Sequence, residues 1–439
     1  MKRYYIHKLG CPKNDVDAEC ISGYLRNLGY QKTDTADDAE LLIVNTCGFI
    51  QDAKEESIDA IMKSLKIKRK NEKSRVIVTG CLAQRYANDL AGDIPEIDGI
   101  LGLDNIIQIQ DILESKDAKI AVSENNLRKY REFDIERELD ANQVFAYLKI
   151  SDGCDNRCAY CSIPDIRGRF RSRQMENILD EARYLLDHSK KEIILVSQES
   201  TAYGLDLYGK QSLIALLDRL SALNGEFWIR IMYLHPGRLT SELIDYMIDN
   251  PRICNYFDLP LQHCNDEILQ AMGRKTTRSA IEKLIGEIRG KSARSAIRTN
   301  FIVGFPGETG MQFKELCSFV EEIEFDRLGA FVYSREENTK AANMPEQVKR
   351  IIREKRYHRL MEIQREIAFT LNEKDVGERF EVIVDRVNIE EGYSMARTRL
   401  DAPEIDREVK LGFTDLRPGE FIPININGYD GYDLLGTRE

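Results

Sequence analysis

Short apolar runs rich in β-branched and aromatic residues punctuate the first third of the chain, at Tyr4–Leu9, Leu41–Asn45 and Val76–Thr79. Between them, Asp17–Leu28 and Lys54–Lys66 carry apolar positions at helical spacing. Strands alternating with helices predict a parallel sheet in an α/β layer fold. A polar, charged stretch, Ser123–Asp140, reads as a connector. The alternation then resumes with longer helices. Val144–Ile150, Glu192–Ser197, Phe227–Tyr233, Tyr256–Pro260, Arg298–Val303 and Arg327–Tyr333 are predicted strands. Asn177–Leu186, Leu213–Leu223, Ser279–Ile288 and Gln312–Glu322 are predicted helices. Six such units predict a barrel or part of one, with the chemistry at the C-terminal ends of the strands.

The pattern changes near residue 345. One long helix is predicted over 345–374, opened by Pro345 and closed before Gly377. Beyond it, Phe380–Val387 alternates with period two, and Tyr393–Arg399 and Phe421–Asn427 are further strands between Pro and Gly turns. These predict a small antiparallel β-barrel of about 65 residues. The expected organisation is therefore an α/β domain over 1–135, a partial (β/α)6 barrel over 136–344, a helical linker over 345–374 and the small barrel over 375–439.

Composition narrows the function. The chain has 439 residues, 42% hydrophobic and 31% charged, enough to bury a core without disulfides or metals. Metal ligands, where found, are then functional. A net charge of −11 argues against indiscriminate binding to phosphate backbones and suits a basic protein partner better. No apolar stretch approaches the roughly 20 residues of a membrane span, and Met1–Lys8 lacks the apolar core of a signal peptide. A cytoplasmic location follows as the expectation, where thiols stay reduced, so the ten cysteines need an account other than disulfides. Cys20, Cys254, Cys264 and Cys317 have no ligand-like spacing and read as small buried hydrophobes.

Cys154, Cys158 and Cys161 follow directly on the first strand of the central region, in Ser151-Asp152-Gly153-Cys154-Asp155-Asn156-Arg157-Cys158-Ala159-Tyr160-Cys161. Three thiolates this close suit three corners of a cubic four-iron cluster, leaving one iron without a local cysteine. S-adenosylmethionine can chelate that open iron through its amino and carboxylate groups, and an electron passed through the cluster can break its S–C5′ bond. Structural zinc takes four ligands in paired motifs, and no fourth Cys or His lies nearby.

Cys11, Cys47 and Cys81 are far apart in sequence but share one setting. Each follows an apolar strand and adjoins a glycine: Gly10-Cys11, Cys47-Gly48 and Gly80-Cys81. On parallel neighbouring strands they share the edge that forms the ligand crevice of open α/β folds. Three thiolates there suit a second cluster with a free iron. One cluster then makes a radical and the other holds something for it. Sulfur is the natural candidate, because iron–sulfur clusters bind extra sulfide.

Together these features resemble the radical S-adenosylmethionine methylthiotransferase family along nearly the whole chain, ending in a TRAM-type barrel. The chain is most similar to the RimO-type branch, on Gly10-Cys11-Pro12-Lys13-Asn14, Val44-Asn45-Thr46-Cys47-Gly48-Phe49-Ile50, Pro260-Leu261-Gln262-His263-Cys264 and Phe331-Val332-Tyr333-Ser334-Arg335-Glu336. Lys8 and Ala18 depart from the Ser or Thr common at the first position and the Ser common at the second, and neither removes a ligand. The resemblance implies that two 4Fe-4S clusters are held by the two cysteine triads, with sulfide or polysulfide on the second. It implies that Tyr160 lies next to the nucleotide base of S-adenosylmethionine. Ser197, Gln198 and Glu199 are expected to hold its methionine amine. Gly304 and Glu308, in Gly304-Phe305-Pro306-Gly307-Glu308, are expected to line the cofactor. An external one-electron reductant starts the reaction. The 5′-deoxyadenosyl radical then takes a hydrogen from the β-carbon of an aspartate in small-subunit ribosomal protein S twelve, and a second S-adenosylmethionine supplies the methyl group.

Within the family, an adenosine of transfer RNA is the alternative target. A non-catalytic iron–sulfur electron carrier or ribosome-binding protein is the alternative of another class. From Asp375 to Glu439 there are 8 Lys or Arg against 15 Asp or Glu, a net charge of −7. A barrel that grips RNA is expected to be basic, so this one argues for a basic protein substrate. Arg167, Arg169, Arg171 and Arg173 alternate after the three-cysteine loop. In an extended strand they share one side, either meeting a carboxylate or forming a solvated edge.

Overall fold

A computed structural model describes residues 2–71, 73–115, 119–123 and 137–438. The expected connector Ser123–Asp140 lies largely outside the described residues. The chain forms two compact units. The first is built from residues 1–139, 149–174 and 334–342, the second from 140–148, 175–333 and 343–439.

The first unit has a six-stranded parallel sheet. Its spatial order is Gln31–Lys32, Arg3–Lys8, Leu41–Thr46, Arg75–Gly80, Gly99–Leu101, Lys119–Ala121. Leu41–Thr46 is buried along its whole length, as a central parallel strand covered on both faces must be. Leu42, Val44, Val76 and Val78 pack with Ile61 and Leu65 of the helix Gln51–Lys70. The helix Pro12–Asn27 opens with Pro12 in its first turn, where a missing N–H costs no hydrogen bond. The second strand in sequence pairs on one side of Arg3–Lys8 and the third on the other. The strand order therefore reverses between Arg3–Lys8 and Leu41–Thr46, which is the switch point where open α/β sheets leave a crevice. Residues 149–174 add an antiparallel pair, Ser151–Asp152 with Arg171–Ser172, and the short helix Ile163–Arg167.

The second unit contains a partial barrel. One sheet runs Trp228–Ile231, Glu192–Val196, Phe145–Lys149, and another runs Tyr256–Gln262, Ala296–Val303, Arg327–Val332. The Leu234 N–H donates to the Asp258 carbonyl at 2.9 Å, where the succession passes from one sheet to the other. The helices Met175–Asp187, Leu213–Ser221, Ser241–Asp249, Arg278–Lys291 and Gly310–Ile323 alternate with the strands. Ser241–Asp249 starts where the Thr240 hydroxyl accepts from the Leu243 N–H at 3.2 Å, an N-cap contact.

The long helix is Arg350–Asp375, starting later than expected. Glu346 has φ +58°, and its carbonyl accepts from the Gly307 N–H, which turns the chain before the helix can begin. After it comes a closed barrel in the order Arg379–Asn388, Tyr393–Thr398, Val409–Leu411, Asp433–Thr437, Phe421–Asp430. Val382, Val384, Ala396, Val409, Ile424 and Leu434 fill it. It is antiparallel at every pairing but one, since Val409–Leu411 and Asp433–Thr437 run parallel. A closed ring with an odd number of strands cannot alternate direction all the way round, so one parallel pair is obligatory. The barrel is fastened by buried charge. Glu192 accepts from Arg230 and from Arg397, each at 2.6 Å, and Arg397 also holds Asp385 at 2.7 Å.

Candidate iron–sulfur sites

Cys11, Cys47 and Cys81 follow three adjacent strands of the first unit. Lys8 stands opposite Asn45, Asn45 opposite Thr79, and Thr46 opposite Gly80, so the three strands end level. Gly10, at φ +97°, lets the chain turn there. A side chain on it would meet Cys47 Cβ at 3.0 Å and Cys47 Sγ at 3.3 Å. Asn14 ties the edge together. Its Nδ2 donates to the Leu9 and Thr46 carbonyls at 2.8 and 3.0 Å, and Asn45 Nδ2 donates to the Asn14 carbonyl at 2.7 Å. Burial, then the charge on Cys81, pushes the Cys47 thiol up to about 12, and Cys11 adds to it. Three such sulfurs become thiolates together only against a cation.

The three-cysteine loop is in the same unit. Asp152 is buried, accepts from the Gly153 N–H at 2.9 Å and pairs with Arg167 at 3.1 Å. The Cys154 N–H donates to the Gly168 carbonyl at 3.2 Å, the Asn156 N–H to Cys154 Sγ at 3.5 Å, and the Cys161 N–H to the Cys158 carbonyl at 3.1 Å. The Ala341 N–H closes on the Ala159 carbonyl at 2.8 Å. Burial raises the Cys161 thiol strongly, and Cys158 and Cys154 raise it further, so the three sulfurs feel one another. Cys154, Cys158, Cys161 and Tyr160 are all half-buried.

All six cysteines are free thiols. Among the described residues no group of three or more His, Cys, Asp or Glu is set to hold a single metal ion. A cubic cluster asks for something else, because its ligands sit on separate irons. A thiol-only donor set, gathered in threes with mutual charge coupling, fits such clusters. Cys20, Cys254 and Cys264 are buried and Cys317 is half-buried.

The arginines after the loop do not share one side. Only Arg171–Ser172 is extended, because Arg167 closes a helix and Gly168 at φ +76° breaks the alternation. Arg167 is buried, and Arg169 is exposed against Asp155 at 3.0 Å. Arg173 is buried and donates to the Lys149 carbonyl at 2.7 Å. Arg167 Nη2 donates to Asn14 Oδ1 at 2.9 Å, to Asp17 Oδ2 at 3.2 Å and to Cys81 Sγ at 3.6 Å. Arg167 thus meets carboxylates, one of the two alternatives for the arginine series, while Asp17 and Lys149 are absent from the sequence-based candidates and Asn14 enters there only within the motif around Cys11. A signal exists: Asn14 and Asp17 stand three residues apart in the first turns of the helix that Cys11 caps, so they are neighbours on its surface.

The remaining candidates lie in the second unit. Gln198 follows Glu192–Val196 and has both amide atoms buried without a hydrogen-bond partner, an orphaned polar group suited to a ligand. Ser197 Oγ is 3.1 Å from Ser200 Oγ. Glu199 is held by Arg238 and Thr201. Gly304 has φ +74°, but Arg353 fills the space beside it, its Cγ standing against the place a Cβ would take. Glu308 accepts from the Gly304 and Phe305 N–H groups and from Arg356 at 2.8 Å. Its carboxyl is nevertheless raised to about 6, because burial outweighs those partners. His263 is also buried. Its Nδ1 accepts from the Asn265 N–H at 3.0 Å, so the proton sits on Nε2, which has no partner.

A cysteine triad leading off a partial (β/α)6 barrel defines a radical S-adenosylmethionine enzyme. Residues 148–320 match the radical SAM superfamily, 3–102 match the uncharacterized protein family UPF0004, and 376–438 match the TRAM domain. Among solved structures, the fold is similar to the radical S-adenosylmethionine methyltransferase TsrM of Kitasatospora setae with cobalamin and a 4Fe-4S cluster bound. That likeness has a TM-score of 0.55 and 14% identity, and covers 78% of this chain and 77% of that one. Nearly full-length relatives are ribosomal protein uS12 methylthiotransferases RimO. The one from Desulforamulus reducens is 48% identical over 98% of this chain and 97% of its own length. Those from Clostridioides difficile and Petrotoga mobilis are 44% and 43% identical, each over 99% of this chain, and over 98% and 99% of their own lengths. The chain belongs to the RimO family of radical SAM methylthiotransferases. No helix among its described residues is long and apolar enough to cross a membrane.

Proposed function

We propose that this protein installs a methylthio group on the β-carbon of an aspartate in ribosomal protein uS12. Cys154, Cys158 and Cys161 hold one 4Fe-4S cluster, and Cys11, Cys47 and Cys81 hold another. Loaded in this way, with S-adenosylmethionine and an external reductant, the two clusters supply radical chemistry and a sulfide or polysulfide sulfur. The chain's own residues do the positioning. Gln198 offers its unpartnered amide to the methionine end of S-adenosylmethionine. Tyr160 offers a ring beside the cysteines of its own loop, and Ser197, Glu199, Gly304 and Glu308 shape the ends of two strands. Domain divisions at 135, 344 and 374 are part of this proposal, although the compact units group 149–174 and 334–342 with the N-terminal residues.

The observation that carries the reading is the second triad: three cysteines on three adjacent, level strand ends at a switch point. A second cluster with a free iron gives the radical a sulfur source. The relatives are ribosomal protein uS12 methylthiotransferases, which with the −7 charge of the C-terminal barrel supports a basic protein target over transfer RNA. The test is anaerobic incubation of the reconstituted protein with reductant and S-adenosylmethionine. Formation of 5′-deoxyadenosine that requires Cys154, Cys158 and Cys161 but survives loss of Cys11 is the expected result. No 5′-deoxyadenosine from the fully loaded chain would leave a non-catalytic iron–sulfur protein.

A further inference from the structure

Arg167 is 1% exposed and sits in a charge network that already balances without any sulfur. Arg167 and Lys149 supply two positive charges, and Asp17 and Asp152 two negative ones. Lys149 Nζ is 2.6 Å from Asp17 and 3.6 Å from Asp152, while Arg167 spans both carboxylates. Nothing in that balance asks the guanidinium to reach Cys81. Its Nη2 nevertheless points two N–H groups at three acceptors: Asn14 Oδ1, Asp17 Oδ2 and Cys81 Sγ. Asn14 is itself fixed by the strand ends before Cys11 and Cys47, so the donor is held at a set place relative to the triad. When Cys81 is a thiolate ligand, this contact becomes a charge-assisted hydrogen bond to the sulfur. Hydrogen bonds to ligand sulfurs and nearby positive charge favour the reduced, more negative state of an iron–sulfur cluster.

We propose that Arg167 is a positioning residue for the group held by Cys11, Cys47 and Cys81, donating to the Cys81 sulfur and making that group easier to reduce. The proposal rests on the assignment of those cysteines as cluster ligands. It also gives a physical reason for placing this arginine at the end of the helix that follows the three-cysteine loop: the loop's anchor, Asp152, and the second triad share one side chain.

The test uses the full chain with Cys154→Ala, Cys158→Ala and Cys161→Ala, so that bound iron reports on the second triad alone. Into it go Arg167→Lys, which keeps the charge but not the fork, and the charge-balanced pair Arg167→Gln with Asp17→Asn, which avoids an unpaired buried carboxylate. Iron per chain and the midpoint potential, followed by electron paramagnetic resonance, are the readouts. Full iron with a lower potential in both variants is the expected result. Full iron at the parent's potential overturns the proposal. So does reduced iron with the remaining centre at the parent's potential, which marks a purely structural residue. A parent that takes up no iron overturns the ligand assignment and this proposal with it.

Discussion

Lys149 Nζ lies 2.6 Å from Asp17 Oδ1, and both side chains are buried. Lys149 ends the strand before the three-cysteine loop, and Asp17 lies on the helix capped by Cys11. One buried contact thus ties the two cysteine-bearing segments of the first unit. Removing one partner of such a pair leaves an uncompensated charge and costs about 3–5 kcal/mol. Asp17→Ala is expected to lower stability by that order, with loss of iron from both triads. Denaturation and iron analysis of the same preparation check it. An unchanged melting temperature would remove the network from the account.

Iron should partition by triad. Replacing Cys154, Cys158 and Cys161 by Ala is expected to halve the iron and sulfide of the reconstituted chain, and replacing Cys11, Cys47 and Cys81 to remove the other half. Replacing Cys20, Cys254 and Cys264, which are buried and have no ligand-like spacing, should leave the iron unchanged. Chemical analysis with visible absorption separates these outcomes.

Much of this was legible in the sequence because it lies in periodicity and in glycine. The strands before Cys11, Cys47 and Cys81 each carry a short apolar run, and Gly10 and Gly80 mark where the backbone must turn at positive φ. Alternation alone leaves the arginine series open between a strand edge and carboxylate contacts; the helix Ile163–Arg167, the turn at Gly168 and the buried acid Asp17 that Arg167 meets, distant in sequence, exist only in the fold. Val409–Leu411 gives no signal in the sequence, because three residues show no period. Its parallel partner follows from ring closure, a property of the whole barrel. Gln198 and His263 were named by motif, but their unpartnered buried atoms exist only in the fold.

Glu192 starts its strand, and the N-terminal end of a barrel strand serves stability rather than chemistry. It is fully buried and pairs with Arg230 and Arg397. Glu192→Ala leaves Arg230 unpaired in the interior, at an expected cost of about 3–5 kcal/mol. Urea denaturation should show that loss. The visible spectrum of iron bound in the first unit should stay as it is below the transition. Bleaching in the absence of urea would contradict this separation.

His263 should make acid stability steep. Burial, reinforced by Arg356, lowers its imidazole from 6.5 to about 3. The unfolded chain then binds a proton that the folded chain refuses. The stability from neutral His263 is complete above about pH 6.5 and falls by about 1.4 kcal/mol per pH unit as pH drops toward 3. Between pH 7 and pH 5, His263→Gln is expected to lose about 2 kcal/mol less than the parent. Glu308 works in the opposite sense, and it is common to both chains. Urea titrations of the iron-free proteins at the two pH values measure the difference. Equal losses would place the His263 proton elsewhere.

The central claim is that the radical made at Cys154, Cys158 and Cys161 is turned on a protein side chain, with sulfur supplied at Cys11, Cys47 and Cys81. Its most direct test is tandem mass spectrometry after anaerobic turnover with S-adenosylmethionine and reductant, offering ribosomal protein uS12 and transfer RNA together. The account predicts one methylthio group in place of hydrogen on the β-carbon of a uS12 aspartate, lost when Cys47 is replaced. A methylthio group on an adenosine with uS12 unmodified would contradict it.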